Sequence, residues 1–264
     1  MSLTEVARHD LLVVRRSLLL KAVLAALLAA PLAGVFVGFG LGGEPGFRFL
    51  LLSMWLVVGG AVPLVGVLAA APAVAGARDA GRLRLLLSTP TERVTVAGGV
   101  LCSRLLLVVG SLAVGLCVGV AGLVAVVPRV APGRLAGFVV FTLLVATAYV
   151  SLGLAVSVTV GSATRALVGS VTLFVGTLLW PRIASVLHGI VTDLGVAAPA
   201  TPFQVLGRLS PFGAYSQVIS DSGAIYGVEV TTPLLGSGVM AVVLLGWATL
   251  PLALGVRRFS EADL

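Results

Sequence analysis

Ser151, Ser157 and Ser170 would need a base within hydrogen-bond reach to act as nucleophiles, and the apolar stretches around them offer only His188. Small hydroxyl residues in such stretches more often pack helices. A pair of catalytic aspartates is also missing, because these stretches contain no Asp or Glu. The same gap argues against a proton-coupled carrier, which usually keeps a carboxylate or histidine within its helices. Metal binding needs clustered His, Cys or carboxylates. His9 and His188 lie far apart, and Cys102 and Cys117 are fifteen residues apart, about 22 Å along a helix. The cysteines cannot bridge each other and are expected to be small packing residues. Lys21, the single lysine, follows three leucines instead of ending a glycine-rich loop, so the chain has no phosphate-binding loop for ATP. No catalytic, cofactor-binding or metal-binding residue is therefore expected, and any energy must come from elsewhere.

The elements holding these residues are read from hydropathy. Apolar residues make up 59% of the 264, and the mean hydropathy is +1.17. That is far above a soluble domain, so the bilayer is the expected solvent. Six stretches are long enough to cross about 30 Å of hydrocarbon: Ala22–Leu41, Phe49–Ala75, Leu105–Val127, Leu135–Val160, Ala166–Ile190 and Ser237–Val256. Arg182 and His188 follow Trp180-Pro181 in the fifth, where the helix is expected to reach the interface or bend. Pro63 and Pro72 are expected to kink the second. Gly34-x-x-x-Gly38 and Gly115-x-x-x-Gly119 have the spacing that allows helices to approach closely.

Basic residues set the orientation. With the N-terminus inside, twelve lie on inner segments: Arg8, Arg15, Arg16, Lys21, Arg78, Arg82, Arg84, Arg93, Arg104, Arg165, Arg257 and Arg258. Five lie on outer segments: Arg48, Arg129, Arg134, Arg182 and Arg208. The bias predicts both termini in the cytoplasm and accounts for the net charge of +7 without a nucleic-acid partner. "AAPLAG" resembles a signal-peptide cleavage site, but some twenty residues precede the apolar run, so the stretch is read as a retained span. Residues 2–16 are read as an interfacial helix. Ser2 and Glu5 have capping-box spacing, and Leu3, Val6, Ala7 and Val14 share a face from which only Asp10 departs.

Only 10% of the chain is charged, yet "ARDAGRLRLLLSTPTERV" (77–94) holds Arg78, Asp79, Arg82, Arg84, Glu92 and Arg93. Between Asp79 and Ser88, helical spacing puts Ala80, Leu83, Leu86 and Leu87 on one face, with Gly81, Arg84 and Ser88 opposite. Pro90 ends the helix. A short amphipathic helix of this kind either rests on lipid headgroups or docks a partner.

This segment resembles the first cytoplasmic loop of the ABC-2 type permeases, the membrane subunits of ATP-binding-cassette exporters. That loop reads as an acidic residue, Gly-x-Leu, a leucine pair, Ser/Thr-Pro, and Arg or Lys three residues on. Asp79, Gly81, Leu83, Leu85, Leu86, Thr89, Pro90 and Arg93 match in order. Arg82 stands where a small Thr is usual, and Gly98-Gly99 where Gly-Lys is common. The inner "GSATR", the long outer segment with "LSPFGAYSQVI" and the tail "RRFSEADL" also agree, with Ser210-Pro211 starting a helix.

The resemblance implies a single all-α transmembrane permease domain over 1–264, with six transmembrane helices, both ends inside and a cytoplasmic coupling helix between spans 2 and 3. Residues 1–21 form an amphipathic lead-in, 77–96 the coupling loop and 191–236 the extracytoplasmic loop. The expected partner-coupling residues are Asp79, Gly81, Leu83, Arg84, Leu86, Leu87, Pro90 and Arg93. The implied setting is the plasma membrane, as a homodimer or heterodimer with a second permease chain, in contact with lipid. A separate cytoplasmic ABC ATPase would bind ATP and Mg and do the hydrolysis. The other reading is a non-transporting scaffold or receptor subunit of a multiprotein complex.

Overall fold

The structure, a computed structural model, describes residues 2–14, 17–40, 46–81, 93–221 and 233–261. Among them every regular element is helical. We label the helices α1 (Leu3–Val14), α2 (Leu18–Gly40), α3 (Phe47–Ala70), α4 (Pro72–Asp79), α5 (Arg93–Val126), α6 (Pro132–Thr159), α7 (Ala163–Asp193), α8 (Ala200–Arg208), α9 (Pro211–Asp221) and α10 (Ser237–Glu261). Six helical segments among the described residues are long and apolar enough to cross a membrane: Leu20–Gly40, Phe47–Asp79, Val94–Val126, Pro132–Thr159, Ala163–Asp193 and Ser237–Phe259. These are the six stretches read from the sequence, each with somewhat different ends. Large apolar side chains such as Leu173, Leu179, Ile183, Val242 and Leu250 stand exposed on the spans, a surface suited to lipid and not to water.

α6 is the central post, packed by α3, α5, α7, α9 and α10. Phe138, Val145, Tyr149, Val150 and Leu154 are buried along it. Lipid tails are as apolar as leucine, so in a bilayer the spans must gain from close contact. Glycines supply that contact. A Cβ on Gly115 would sit 2.5 Å from the Leu27 carbonyl oxygen, and one on Gly119 2.6 Å from Pro31 Cβ, which packs α5 on α2. Gly34 and Gly38 do the same between α2 and α3, at 2.5 Å from Met54 Cα and 2.6 Å from Leu50 Cδ2. Both glycine pairs picked out by spacing are therefore packing positions. The cysteines are not. Cys102 and Cys117 lie exposed on α5, because the other side of that helix is the one turned to its neighbours.

The helix of the third crossing, α5, begins at Arg93, twelve residues before the expected Leu105. α5 has 34 residues, about 51 Å at 1.5 Å each, well beyond the hydrocarbon thickness. α1 lies against its first turns. Val6 fills the notch at Gly99, where a Cβ would come within 2.7 Å of it, and Leu3 Cδ1 lies 3.2 Å from a Cβ on Gly98. The capping box forms, with the Ser2 N–H donating to Glu5 Oε2 at 2.7 Å and the Glu5 N–H to Ser2 Oγ at 3.4 Å. Asp10, which interrupts the apolar face in sequence, turns to α5. It accepts from Arg104 Nη2 at 2.8 Å and from the Ser103 hydroxyl.

The two prolines of the second crossing differ. α3 runs through Pro63 unbroken, whereas Pro72, with no N–H, interrupts the hydrogen-bond ladder and opens α4; Ala71 before it stays helical (φ −55°, ψ −46°) and bonds its N–H to Val67 O at 2.9 Å. α7 likewise continues past Trp180-Pro181 to Asp193, so Arg182 and His188 stay on the helix.

Beyond α7, the expected helix at Ser210-Pro211 is α9. Ser210 Oγ accepts from the Gly213 N–H at 3.0 Å, and Pro211 needs no N–H at a first turn. α8 was not expected. Together α8 and α9 form a hairpin that dips back between the spans. Its turn carries the carbonyls at the end of α8. Leu206 O, which accepts from the Leu209 N–H at 3.2 Å, also accepts from Trp180 Nε1 at 2.9 Å, and Leu209 O accepts from Trp247 Nε1 at 2.8 Å. On α9, Phe212 lies 6.3 Å from the Trp55 ring and Tyr215 Oη 2.8 Å from Thr142 Oγ1. Trp55, Trp247 and Trp180 lie eight, ten and thirteen residues from the near ends of their helices, so the turn reaches about 12–20 Å along the bundle.

Candidate functional site

The end of the bundle that carries α1, Gly81, the α6–α7 junction and the last turns of α10 holds a set of polar bonds between distant parts of the chain. It is organised around α4. Pro72 has no N–H, and the N–H groups that open a helix need acceptors beyond its own ladder. Ser157 Oγ on α6 supplies one, accepting from the Val74 N–H at 3.0 Å and the Ala75 N–H at 3.1 Å. Ser157 is fully buried, so its hydroxyl is a structural cap and not a free nucleophile. His188 is occupied elsewhere: its ring pairs with the Ala198 carbonyl at 3.1 Å and lies 5.0 Å from the Phe203 ring.

The other end of α4 is bound by two adjacent residues of opposite charge. Arg78 Nη1 donates to Val160 O at 3.0 Å, just past the C-terminus of α6. Asp79 Oδ2 accepts from the Ala163 N–H at 2.8 Å, at the N-terminus of α7. Each charge faces the helix end whose dipole favours it. Ser162 adds its own cap to α7, accepting from the Arg165 N–H at 3.3 Å. The Arg78 guanidinium lies 5.5 Å over the Phe259 ring of α10. Its Nε and Nη2 are buried without a hydrogen-bond partner among the described residues, and the ring face offsets part of that cost.

After Asp79 the chain leaves the helix through Ala80 and Gly81. Gly81 has φ +68°, a left-handed conformation that favours glycine, and its N–H bonds to Arg78 O at 3.0 Å. Among the described residues nothing stands within 4 Å of where its Cβ would be, and the left-handed turn is what calls for the glycine there. Among the expected coupling residues, Asp79 and Gly81 lie at this turn and Arg93 opens α5. Leu83, Arg84, Leu86, Leu87 and Pro90, with the helix expected over 79–88, lie outside the described residues apart from its first three positions. Of the expected 77–96 loop, residues 77–79 belong to α4 and 93–96 to α5.

Sequence reasoning missed Ser157, the partner role of Arg78 and the Asp10–Arg104 pair. For Arg78 a clue was present, as an Arg-Asp step at the end of an otherwise uncharged apolar stretch. Ser157 and Asp10 depend on residues more than eighty positions away. Among the described residues there is no cluster of three or more metal-ligating side chains.

A comparison with curated proteins finds no match. Residues 53–264 match the family described as ABC-2 family transporter protein. The match runs from the α3 crossing through α4, the hairpin and α10, and so takes in nearly all of the end described above. The chain therefore belongs to the ABC-2 family of transporter proteins, as a multi-pass membrane transport subunit of the cell membrane, not itself catalytic.

Proposed function

We propose that this chain is the permease subunit of an ABC exporter, driven by a separate cytoplasmic ABC ATPase that binds ATP and Mg. Two permease chains, identical or related, form the transport pathway within the lipid. The observation that carries this reading is the convergence of α3–α4, α6–α7 and α10 on the turn that leads into residues 82–92. A push delivered there bears on α4 and, through its contacts, on three further crossings, α6, α7 and α10. The basic bias supports placing this end in the cytoplasm. In this reading Asp79, Gly81, Leu83, Arg84, Leu86, Leu87, Pro90 and Arg93 make the contact, and their role is mechanical. ATP-driven closure of the ATPase pair shifts helices as bodies.

Leu86→Asp tests it. A charge set into a desolvated protein contact commonly costs about 2–5 kcal/mol, whereas at a headgroup surface water stays available. The variant is expected to insert normally but to lose copurification with the ATPase, while Leu86→Met retains it. A wild-type complex with Leu86→Asp would mean that the leucine face rests on lipid.

A further inference from the structure

α4 continues the second crossing in sequence, but its bonds belong elsewhere. At its start the helix is set off from α3 by Pro72, which interrupts the hydrogen-bond ladder after the still-helical Ala71, and it is held by Ser157 of α6. At its end it is held by Val160 and Ala163, on the two sides of the α6–α7 junction. Gly76, between these points, approaches α7 closely, with a Cβ there 3.8 Å from Ala163 Cβ. Arg78 adds α10 through Phe259. A helix pinned at both ends to one pair of neighbours moves with that pair. The step that lacks a protein partner through its proline is the one toward α3.

From this arrangement we infer that Arg78-Asp79 is a strut: it carries displacement of the segment after Gly81 into α6, α7 and α10, while α4 pivots against α3 at Ala71-Pro72. Arg78 is a positioning residue in this scheme, acting through the α6 terminus. The opposite charges matter because each one caps a helix end. Arg78 holds a carbonyl beyond α6 and Asp79 an N–H at the start of α7, so the junction is gripped from both sides and cannot slide past α4. Asp10 and Arg104 tie α1 to α5 at the same end, but they do not touch α4 and are outside the strut.

The inference rests on the proposed function, and its test separates the two. The full permease is reconstituted with its ATPase in proteoliposomes, with Cys102 and Cys117 replaced by alanine. An environment-sensitive fluorophore is placed on Gly189→Cys, an open position near the far end of α7. Trapping the ATPase with ATP and vanadate should shift the emission of the unaltered chain. No shift there would refute the proposed function itself. The strut is then broken by Arg78→Met with Ala163→Pro. Proline is tolerated at the first position of α7 and removes the N–H that Asp79 accepts, and Ser162 already has the extended backbone a proline needs. The complex should still assemble and hydrolyse ATP, but the shift should fall by about fivefold or more. An undiminished shift would overturn the strut, and so would parallel loss of assembly and hydrolysis, which marks a merely structural defect. In a second variant the strut is locked by Gly76→Cys with Ala163→Cys, whose 3.8 Å Cβ separation suits a disulfide. The bridge is oxidised first and the remaining thiol labelled afterwards. The full shift should survive locking, and its loss would mean that this contact opens during the cycle and carries no displacement.

Discussion

Replacing Asp10 by alanine should release α1 from α5 without unfolding the spans. The Asp10 and Arg104 side chains are 13% and 9% exposed, so solvent screens their 2.8 Å contact only weakly. Asp10 also accepts from Ser103, and Arg104 Nε is already buried without a hydrogen-bond partner among the described residues. Asp10→Ala therefore leaves a buried guanidinium with little to bind. Breaking a buried pair from one side costs about 3–5 kcal/mol. Taking the lower value, because α1 can lift away and let water reach Arg104, the docking equilibrium should fall by about 150-fold. Hydrogen exchange of residues 3–14 measures this directly. Exchange should accelerate there and stay unchanged in α6, whose packing does not involve Asp10. Arg104→Leu added to Asp10→Ala should recover part of the loss, since neither charge is then left alone. Unchanged exchange in the single variant, or a double variant worse than the single, would refute the reasoning.

Gly115→Ala should lower thermal stability in detergent by about 1–3 kcal/mol, because its methyl group would press on the Leu27 carbonyl. Gly110→Ala, with open space at its Cβ, should be neutral or slightly stabilising. Ser157→Ala should cost about 1–3 kcal/mol by leaving the Val74 and Ala75 N–H groups without an acceptor, and Ser157→Thr, which keeps the hydroxyl, should cost less. Glu5 is held below its ordinary carboxylate value by the Ser2 N–H, and secondarily by the Ser2 hydroxyl. Its cap is therefore fully present above the ordinary value and is lost as pH falls through the lowered one. Exchange in the first turn of α1 should rise over that acid range, and Glu5→Gln should show no such step.

The crossings were legible because nothing competes with the bilayer argument: long runs without charge have one inexpensive environment. The capping box at Ser2 and the start at Ser210-Pro211 were legible for a different reason, since each is complete within four residues. The early start of α5 was hidden by Arg93, Thr95, Ser103 and Arg104, which interrupt the hydropathy run although the helix continues through them. α8 mixes polar and apolar residues over nine positions, and its place in the hairpin is set by indoles on α7 and α10. Asp10 looked like an error in an amphipathic face because its partner is 94 residues away. The strut shares that difficulty. Arg78 and Asp79 are visible as charges, but which helix ends they cap depends on how α6 and α7 return beside α4.

The most direct test of the account as a whole is ATP hydrolysis by the purified permease, alone and with its ATPase, in the same nanodiscs. The account predicts no hydrolysis by the chain alone, hydrolysis with the ATPase present, and loss of complex formation with Leu86→Asp. Sustained hydrolysis by the isolated, contaminant-free chain would contradict it.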